Sequence, residues 1–243
     1  MKLLAVKAIS KTFGGLQALQ DVSFDVNSGE VLGIIGANGA GKTTLFSLIA
    51  GHDRPTAGEI LFHGKPIVGL RPDQIARRGI ARTFQNVRPF PSMTVLDNVL
   101  VPVFFGTCCE RDQTVARRLA ADVLAEVGLD GHLDRLASSL TLSDQKRLEI
   151  ARALGTQPSL IMLDEVMAGL TATEVNQLLQ SIRLIQQRRS LTILFVEHVM
   201  HAVMRFSHRI VVLHHGKLIT TASPENVAKD PRVIEAYLGA SDD

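Results

Sequence analysis

Hydrophobic positions along this chain change their spacing several times, and each change marks an element. Leu4, Val6 and Ala8, then Val22, Phe24 and Val26, alternate with polar residues, which predicts two half-buried strands with a turn around Phe13-Gly14-Gly15. Val31, Leu32, Ile34 and Ile35 form an apolar run, and beyond it Leu45, Leu48 and Ile49 recur at helical spacing until Gly51 and Pro55 stop the helix. The stretch 58–67 reads as a hairpin turning at His63-Gly64, a short polar helix follows over 72–78, and Ile80 to Phe84 predicts a strand ending at Gln85. Three prolines between Val87 and Pro102 predict that this stretch is no single regular element. Val115, Leu119, Val123 and Val127 give the next helix one apolar face, closed by Gly128. A helix over 144–154 could be capped by Thr141, Ser143 or Asp144.

The same reading continues to the C-terminus. Leu160 to Leu163 predicts a buried strand running into Asp164-Glu165, and Val175, Leu178, Leu179, Ile182 and Ile185 a helix. Leu191 to Val196 is a second buried strand, ending at Glu197-His198. A strand pair turns at His215-Gly216, and two short helices finish the chain. The alternation is that of an α/β fold. One domain over 1–243 is expected: a small antiparallel β subdomain from 1–30 and 56–68, a core from 31–55, 69–87 and 151–243, and an inserted helical lobe from 88–150.

Between the strand at 31–35 and its helix stands Gly36-Ala37-Asn38-Gly39-Ala40-Gly41-Lys42-Thr43, which fits G-x-x-x-x-G-K-[ST]. Glycines there let consecutive backbone N–H groups turn inward around an anion, and the helix N-terminus adds partial positive charge. Lys42 would reach β- and γ-phosphates, the Thr43 hydroxyl would bind Mg²⁺, and Thr44 extends the phosphate-binding set from Gly36 through Ala37, Asn38, Gly39, Ala40 and Gly41. Three further strands end in residues suited to the same chemistry. Asp164 is the expected metal carboxylate, Glu165 the candidate general base, Gln85 a water-orienting or metal-contacting side chain, and His198 a contact to the γ-phosphate or water. Ligands of parallel α/β sheets lie beyond the carboxyl ends of the strands, so these ends are expected to converge. His198-x-x-His201 has the spacing of a metal pair, but no third ligand follows. Phe13 suits either a core or an aromatic platform for a base, and its spacing favours core.

Composition narrows the class. The 243 residues carry a net charge of +2, too little to argue for a nucleic-acid partner. No apolar run approaches the ~20 residues of a bilayer span, so the chain is expected not to cross a membrane alone, and no signal peptide is evident. Cys108 and Cys109 are adjacent and poorly placed for an unstrained disulfide, which predicts buried or idle thiols in a reducing compartment.

With these landmarks in order, the chain resembles the ATP-binding subunit of ATP-binding-cassette transporters over nearly its whole length. Within that family, the stretches 79–99, 147–154 and 230–239 look like the ATPase subunits of branched-chain amino-acid importers. The resemblance implies a P-loop NTPase (RecA-like) core, ATP and Mg²⁺ as cofactors, and Phe13 as the adenine stacker. It also implies two such cassettes arranged head to tail, transmembrane permease subunits, indirectly a substrate-binding protein, and a peripheral place on the cytoplasmic face of the inner membrane. In one respect this sequence departs from the family. The usual L-S-G-G-Q falls on Leu140-Thr141-Leu142-Ser143-Asp144, where Thr141 and Ser143 would face the partner's ATP but Asp144 brings a negative charge costing about 1 to 4 kcal/mol. Thr171 stands where the family carries an acid, and Val166 replaces the usual proline. An asymmetric heterodimer is therefore expected, unless Thr141 and its helix N-terminus suffice and both sites work. The ATPase subunit of a lipid or lipopolysaccharide exporter is the competing reading. Long heptad arms, C-x-x-C pairs and N-K-x-D are absent, which disfavours DNA-repair cassettes, GTPases and small-molecule kinases.

Overall fold

A computed structural model describes residues 1–84, 89–107 and 109–238. In chain order the elements are β1 (Lys2–Phe13), β2 (Leu16–Asn27), β3 (Val31–Ile35), α1 (Lys42–Ile49), β4 (Ala57–Phe62), β5 (Lys65–Pro66), α2 (Pro72–Arg77), β6 (Ile80–Arg82), α3 (Val95–Phe105), α4 (Gln113–Glu126), α5 (Leu142–Gly155), β7 (Leu160–Asp164), α6 (Ala172–Arg189), β8 (Thr192–Val196), α7 (Met200–Phe206), β9 (Arg209–His214), β10 (Lys217–Ala222), α8 (Pro224–Val227) and α9 (Pro231–Leu238). They fall into two units, Met1–Pro72 with Thr192–Asp243, and Asp73–Leu191.

In the first unit β2, β1, β4 and β5 form an antiparallel sheet in that order. Val6 pairs with both Phe24 and Ile60, and Val6, Val22, Val26 and Ile60 are buried, as alternation requires. The alternation slips once. Ala8 has φ +49, its N–H donates to Ser23 Oγ, and the register shifts, so Ile9 turns inward while Ala8 is exposed. The hairpin between β4 and β5 turns at His63-Gly64, both at positive φ, as the sequence predicts.

The same unit holds β3 between two parallel neighbours. Ile34 pairs with Val196 of β8 on one side and Val211 of β9 on the other, and every residue of β3 and β8 is buried. β10 closes antiparallel onto β9. Gly33 has a steric reason: a Cβ there would lie 2.6 Å from Ser207 Oγ and 2.9 Å from Val203, so only glycine admits α7 to the strand. Helix α7 itself does not follow from the sequence pattern, being seven residues long with three buried, Ala202, Val203 and Phe206. Arg209 on β9 clasps Glu30 at the start of β3, with Nη2 donating to Oε2 at 3.0 Å and Nε to Oε1. Burial alone would raise the Glu30 carboxyl, but hydrogen bonds from Arg209 and Asn27 hold it below its ordinary value.

In the second unit β6 and β7 pair in parallel, Ile80 opposite Leu160, and α3 packs on α4 and α5. Here α3 begins only at Val95, so the stretch up to Pro102 is not one regular element, as expected, and the structure corrects one expectation, the face of α4. Helix α3 runs through Pro102, because Val95, Leu96, Val99, Leu100 and Val103 bury a face whose packing outweighs one missing backbone donor. On α4 the buried face is Ala116, Ala120, Val123 and Leu124, with Val115 and Leu119 half-buried at its margin, because small residues let neighbouring helices approach. Helix α6 buries the five expected residues and is tied down by Arg189, bidentate to Glu126 at 2.8 and 3.0 Å. Among the described residues no helix is long and apolar enough to cross a membrane.

Candidate functional site

The phosphate loop belongs to the first unit. Ala40 N–H closes a turn on Ala37 O, and Ala40 O accepts from Gly216 N–H, whose own carbonyl accepts from Gln20 N–H. The loop is thus pinned between β2 and the turn joining β9 to β10. Gly41 has φ +100, and a Cβ on it would meet Leu19 Cδ2 at 2.6 Å and Ala18 O at 2.7 Å, so no other residue fits. Lys42 is 6% exposed and its Nζ donates to Gly36 O at 2.7 Å and Ala37 O at 3.0 Å. Thr43 is exposed and Thr44 half-buried at the start of α1. That helix has Gly41 as its N-cap, no side-chain cap and no acid in its first turn. No side chain of that first turn therefore offsets the helix's partial positive charge, which is what an anion needs.

Phe13 and His198, the two other candidates of this unit, are both exposed. Phe13 is 47% exposed at the end of β1 with Lys11 Nζ 4.6 Å from its ring centre, so the core assignment fails: the strand end and its glycine turn project it from the sheet. His198 follows β8 and is exposed, while Glu197 before it is 3% exposed. Tyr237 stands on α9, in the stretch 230–239, with the Gly36 backbone near its phenol. Burial raises that phenol above the ordinary value and the Gly36 amide works against the rise.

The second unit holds the carboxylates. Asp164 ends β7 at 5% exposure, its N–H donates to Thr83 Oγ1 at 3.1 Å, and its Oδ2 accepts from Arg82 Nη2 at 2.7 Å. A carboxylate this buried requires a counter-charge, and Arg82 on β6 supplies it. Glu165 follows in the left-handed region at φ +49, a strained backbone of the kind that collects at working sites, with its carbonyl 3.5 Å from Lys146 Nζ. From α5, Glu149 accepts from Phe84 N–H at 2.8 Å. Burial raises its carboxyl above the ordinary range against the pull of that hydrogen bond and of Lys146 and Arg152. Arg82, Phe84, Pro102, Phe105, Glu149 and Arg152 line a groove of about 260 Å³, with Phe84 45% and Phe105 68% exposed.

At the N-terminus of α5, Thr141 is the cap: its Oγ1 accepts from Asp144 N–H at 3.2 Å and donates to Asp144 Oδ2 at 2.8 Å. The hydroxyl proton is thus directed to Asp144 in this state. Ser143 is half-buried in the first turn. Thr171, where the family pattern carries an acid, caps α6 in a reciprocal box with Glu174, worth about 1 kcal/mol. Cys109 is exposed and free, so of the two readings, buried or idle, burial does not hold for it. Gln85 and Cys108 lie outside the described residues.

Each unit offers one donor of a kind that a divalent cation accepts, the Thr43 hydroxyl in the first and the Asp164 carboxylate in the second. The donors are a hydroxyl and a carboxylate, both hard oxygens, and among the described residues no group of three or more His, Cys, Asp or Glu side chains could hold a metal alone. The sequence could have flagged Arg82 as a charge inside an apolar strand end; Glu149 and Tyr237 carried no such signal.

A strand, an anion-binding glycine loop and a buried carboxylate closing another strand define a P-loop nucleotide-binding protein. The chain belongs to the ATP-binding-cassette family, since residues 19–168 match the ABC transporter model, and residues 217–243 match that of the branched-chain amino acid ATP-binding cassette transporter. It is 42% identical to the high-affinity branched-chain amino acid transport ATP-binding protein LivG of Salmonella typhimurium, over 98% of each chain. It is 39% identical to the corresponding protein BraF of Pseudomonas aeruginosa, again over 98% of each. Its fold matches the ADP conformation of MJ1267, an ATP-binding cassette of an ABC transporter, with a TM-score of 0.88, 31% identity and coverage of 98% of this chain and 99% of that one. The expected α/β P-loop NTPase fold is therefore the fold observed.

Proposed function

We propose that this chain is the ATP-hydrolysing subunit of a membrane transporter that takes up branched-chain or other hydrophobic amino acids. The observation that carries the reading is the open cradle of the phosphate loop, in which Lys42 is buried and the first turn of α1 is left uncapped. The match of residues 217–243 to a branched-chain amino-acid cassette favours uptake over lipid or lipopolysaccharide export.

In this reading the amides of Gly36 through Thr44 and Lys42 bind the triphosphate, and exposed Phe13 stacks on the adenine. Thr43, Asp164 and Gln85 hold magnesium, which neutralises the phosphate oxygens when it is bound with ATP. Glu165 takes the proton of the attacking water, and His198 orients that water or the γ-phosphate. Thr141 and Ser143 face the nucleotide of a second cassette, and the altered signature around Asp144 favours an unlike partner. No described helix crosses a membrane, so transport needs permease subunits. The apolar groove between Phe84 and Phe105 is the surface proposed to receive one of them, on the cytoplasmic face of the inner membrane.

The test uses Glu165→Gln in the transporter purified with its membrane subunits. ATP binding is expected to persist while hydrolysis falls about a hundredfold or more. Undiminished turnover would remove Glu165 as the base. In the unmodified transporter, a leucine-loaded binding protein is expected to stimulate hydrolysis, and indifference to it would overturn the assigned cargo.

A further inference from the structure

We propose that Arg82 is a positioning residue that couples occupation of the Phe84 to Phe105 groove to the metal carboxylate Asp164. This rests on the reading above, in which Asp164 holds the cation and a membrane subunit fills the groove. The stretch 79–99 contains Arg82 but assigns it no role; its place in two structures at once does.

Toward β7, Arg82 Nη2 donates to Asp164 Oδ2 at 2.7 Å, with side chains only 9% and 6% exposed. Toward the groove, the same guanidinium lies 5.5 Å from the centre of the Phe84 ring and forms part of the lining. The frame around it is stiff. Arg82 is held in register with Met162, Thr83 N–H donates to Met162 O at 2.9 Å, and Phe84 N–H donates to Glu149 Oε1. The backbone on both sides of Arg82 is therefore fixed, and its planar fork reaches a carboxylate on one side and an aromatic face on the other. Half-exposed Phe84 is the part of this arrangement that an incoming chain touches first.

A guanidinium at hydrogen-bond distance from a buried carboxylate offsets much of its field, because little water is present to screen either charge. An occupant that moves the Phe84 ring or draws the guanidinium toward the groove returns that negative field to Asp164, and a cation there is held more tightly. By linkage, cation binding strengthens the groove contact by the same factor. Arginine is suited to this because its plane can stack on a ring while its edge grips an oxygen; an ammonium does one or the other.

The test reads metal binding directly. Mn²⁺ serves as a paramagnetic probe, titrated in the presence of a non-hydrolysable ATP analogue and followed by electron paramagnetic resonance. The purified full chain is compared with the assembled transporter. Mn²⁺ is expected to bind about fivefold more tightly in the transporter, the lower end of ordinary coupling between sites. In Arg82→Lys the two affinities are expected to coincide. Equal affinities in the unmodified forms, or a difference that survives Arg82→Lys, overturns the inference. If Arg82→Lys does not fold, Phe84→Ala decides, since it trims an exposed ring and is expected to shrink the difference; an unchanged difference again overturns it. Absence of Mn²⁺–nucleotide binding in both unmodified forms would overturn the nucleotide reading itself, and the two failures are told apart by that control.

Discussion

Lys42 is held by the loop it serves, its ammonium seated on the carbonyls of Gly36 and Ala37. Those bonds keep a buried charge in place and shape the cradle before any phosphate enters. Lys42→Ala is therefore expected to act twice. It should remove detectable nucleotide binding in calorimetry, and it should lower stability by about 1 to 3 kcal/mol in denaturant titration because two carbonyls lose their donor. Retained binding would show that loop amides alone suffice. Phe13 carries the complementary lesson. Alternation along β1 made it a candidate for the core, yet it ends the strand beside a glycine turn and stands half in solvent. The Lys11 ammonium lies 4.6 Å from the centre of that ring, a contact that leaves much of the aromatic surface exposed.

At the scale of elements, β3 owes its place to Glu30 and Arg209, a bidentate pair linking its first turn to β9. The Glu30 carboxyl titrates below its ordinary 4.5 in the folded chain, so its contribution is full above about that pH and fades as pH falls through the lower folded value. Glu30→Gln is expected to cost about 1 to 3 kcal/mol at pH 7, with the gap to the unmodified chain closing only below pH 4.5 in melts across acidic pH. A gap that is constant down to pH 3.5 would assign the pair no linked proton. Periodicity disclosed most strands and the long helices because their burial repeats every two or about 3.6 residues. It did not disclose α7, which is too short to show a repeat, nor the passage of α3 through Pro102, where tertiary packing prevails over a local breaker. The phosphate loop was legible because its chemistry is local. Arg82 with Asp164, and Tyr237 with Gly36, join residues 82 and about 200 positions apart, and no spacing along the chain announces such meetings.

For the molecule as a whole, the altered signature is the feature with the widest reach. Thr141 gives its hydroxyl proton to Asp144 and caps α5, so this end of the helix is stable without the glycines its relatives' pattern supplies. In a heterodimer, Lys42→Ala in this chain is expected to abolish most turnover while the equivalent change in the partner leaves a substantial fraction. Equal losses in steady-state ATPase assays would favour two working sites. Tyr237 places the C-terminal helix in touch with the first residue of the phosphate loop. An affinity tag or fluorescent reporter fused behind that helix is expected to shift nucleotide affinity relative to the untagged chain, which side-by-side titrations check.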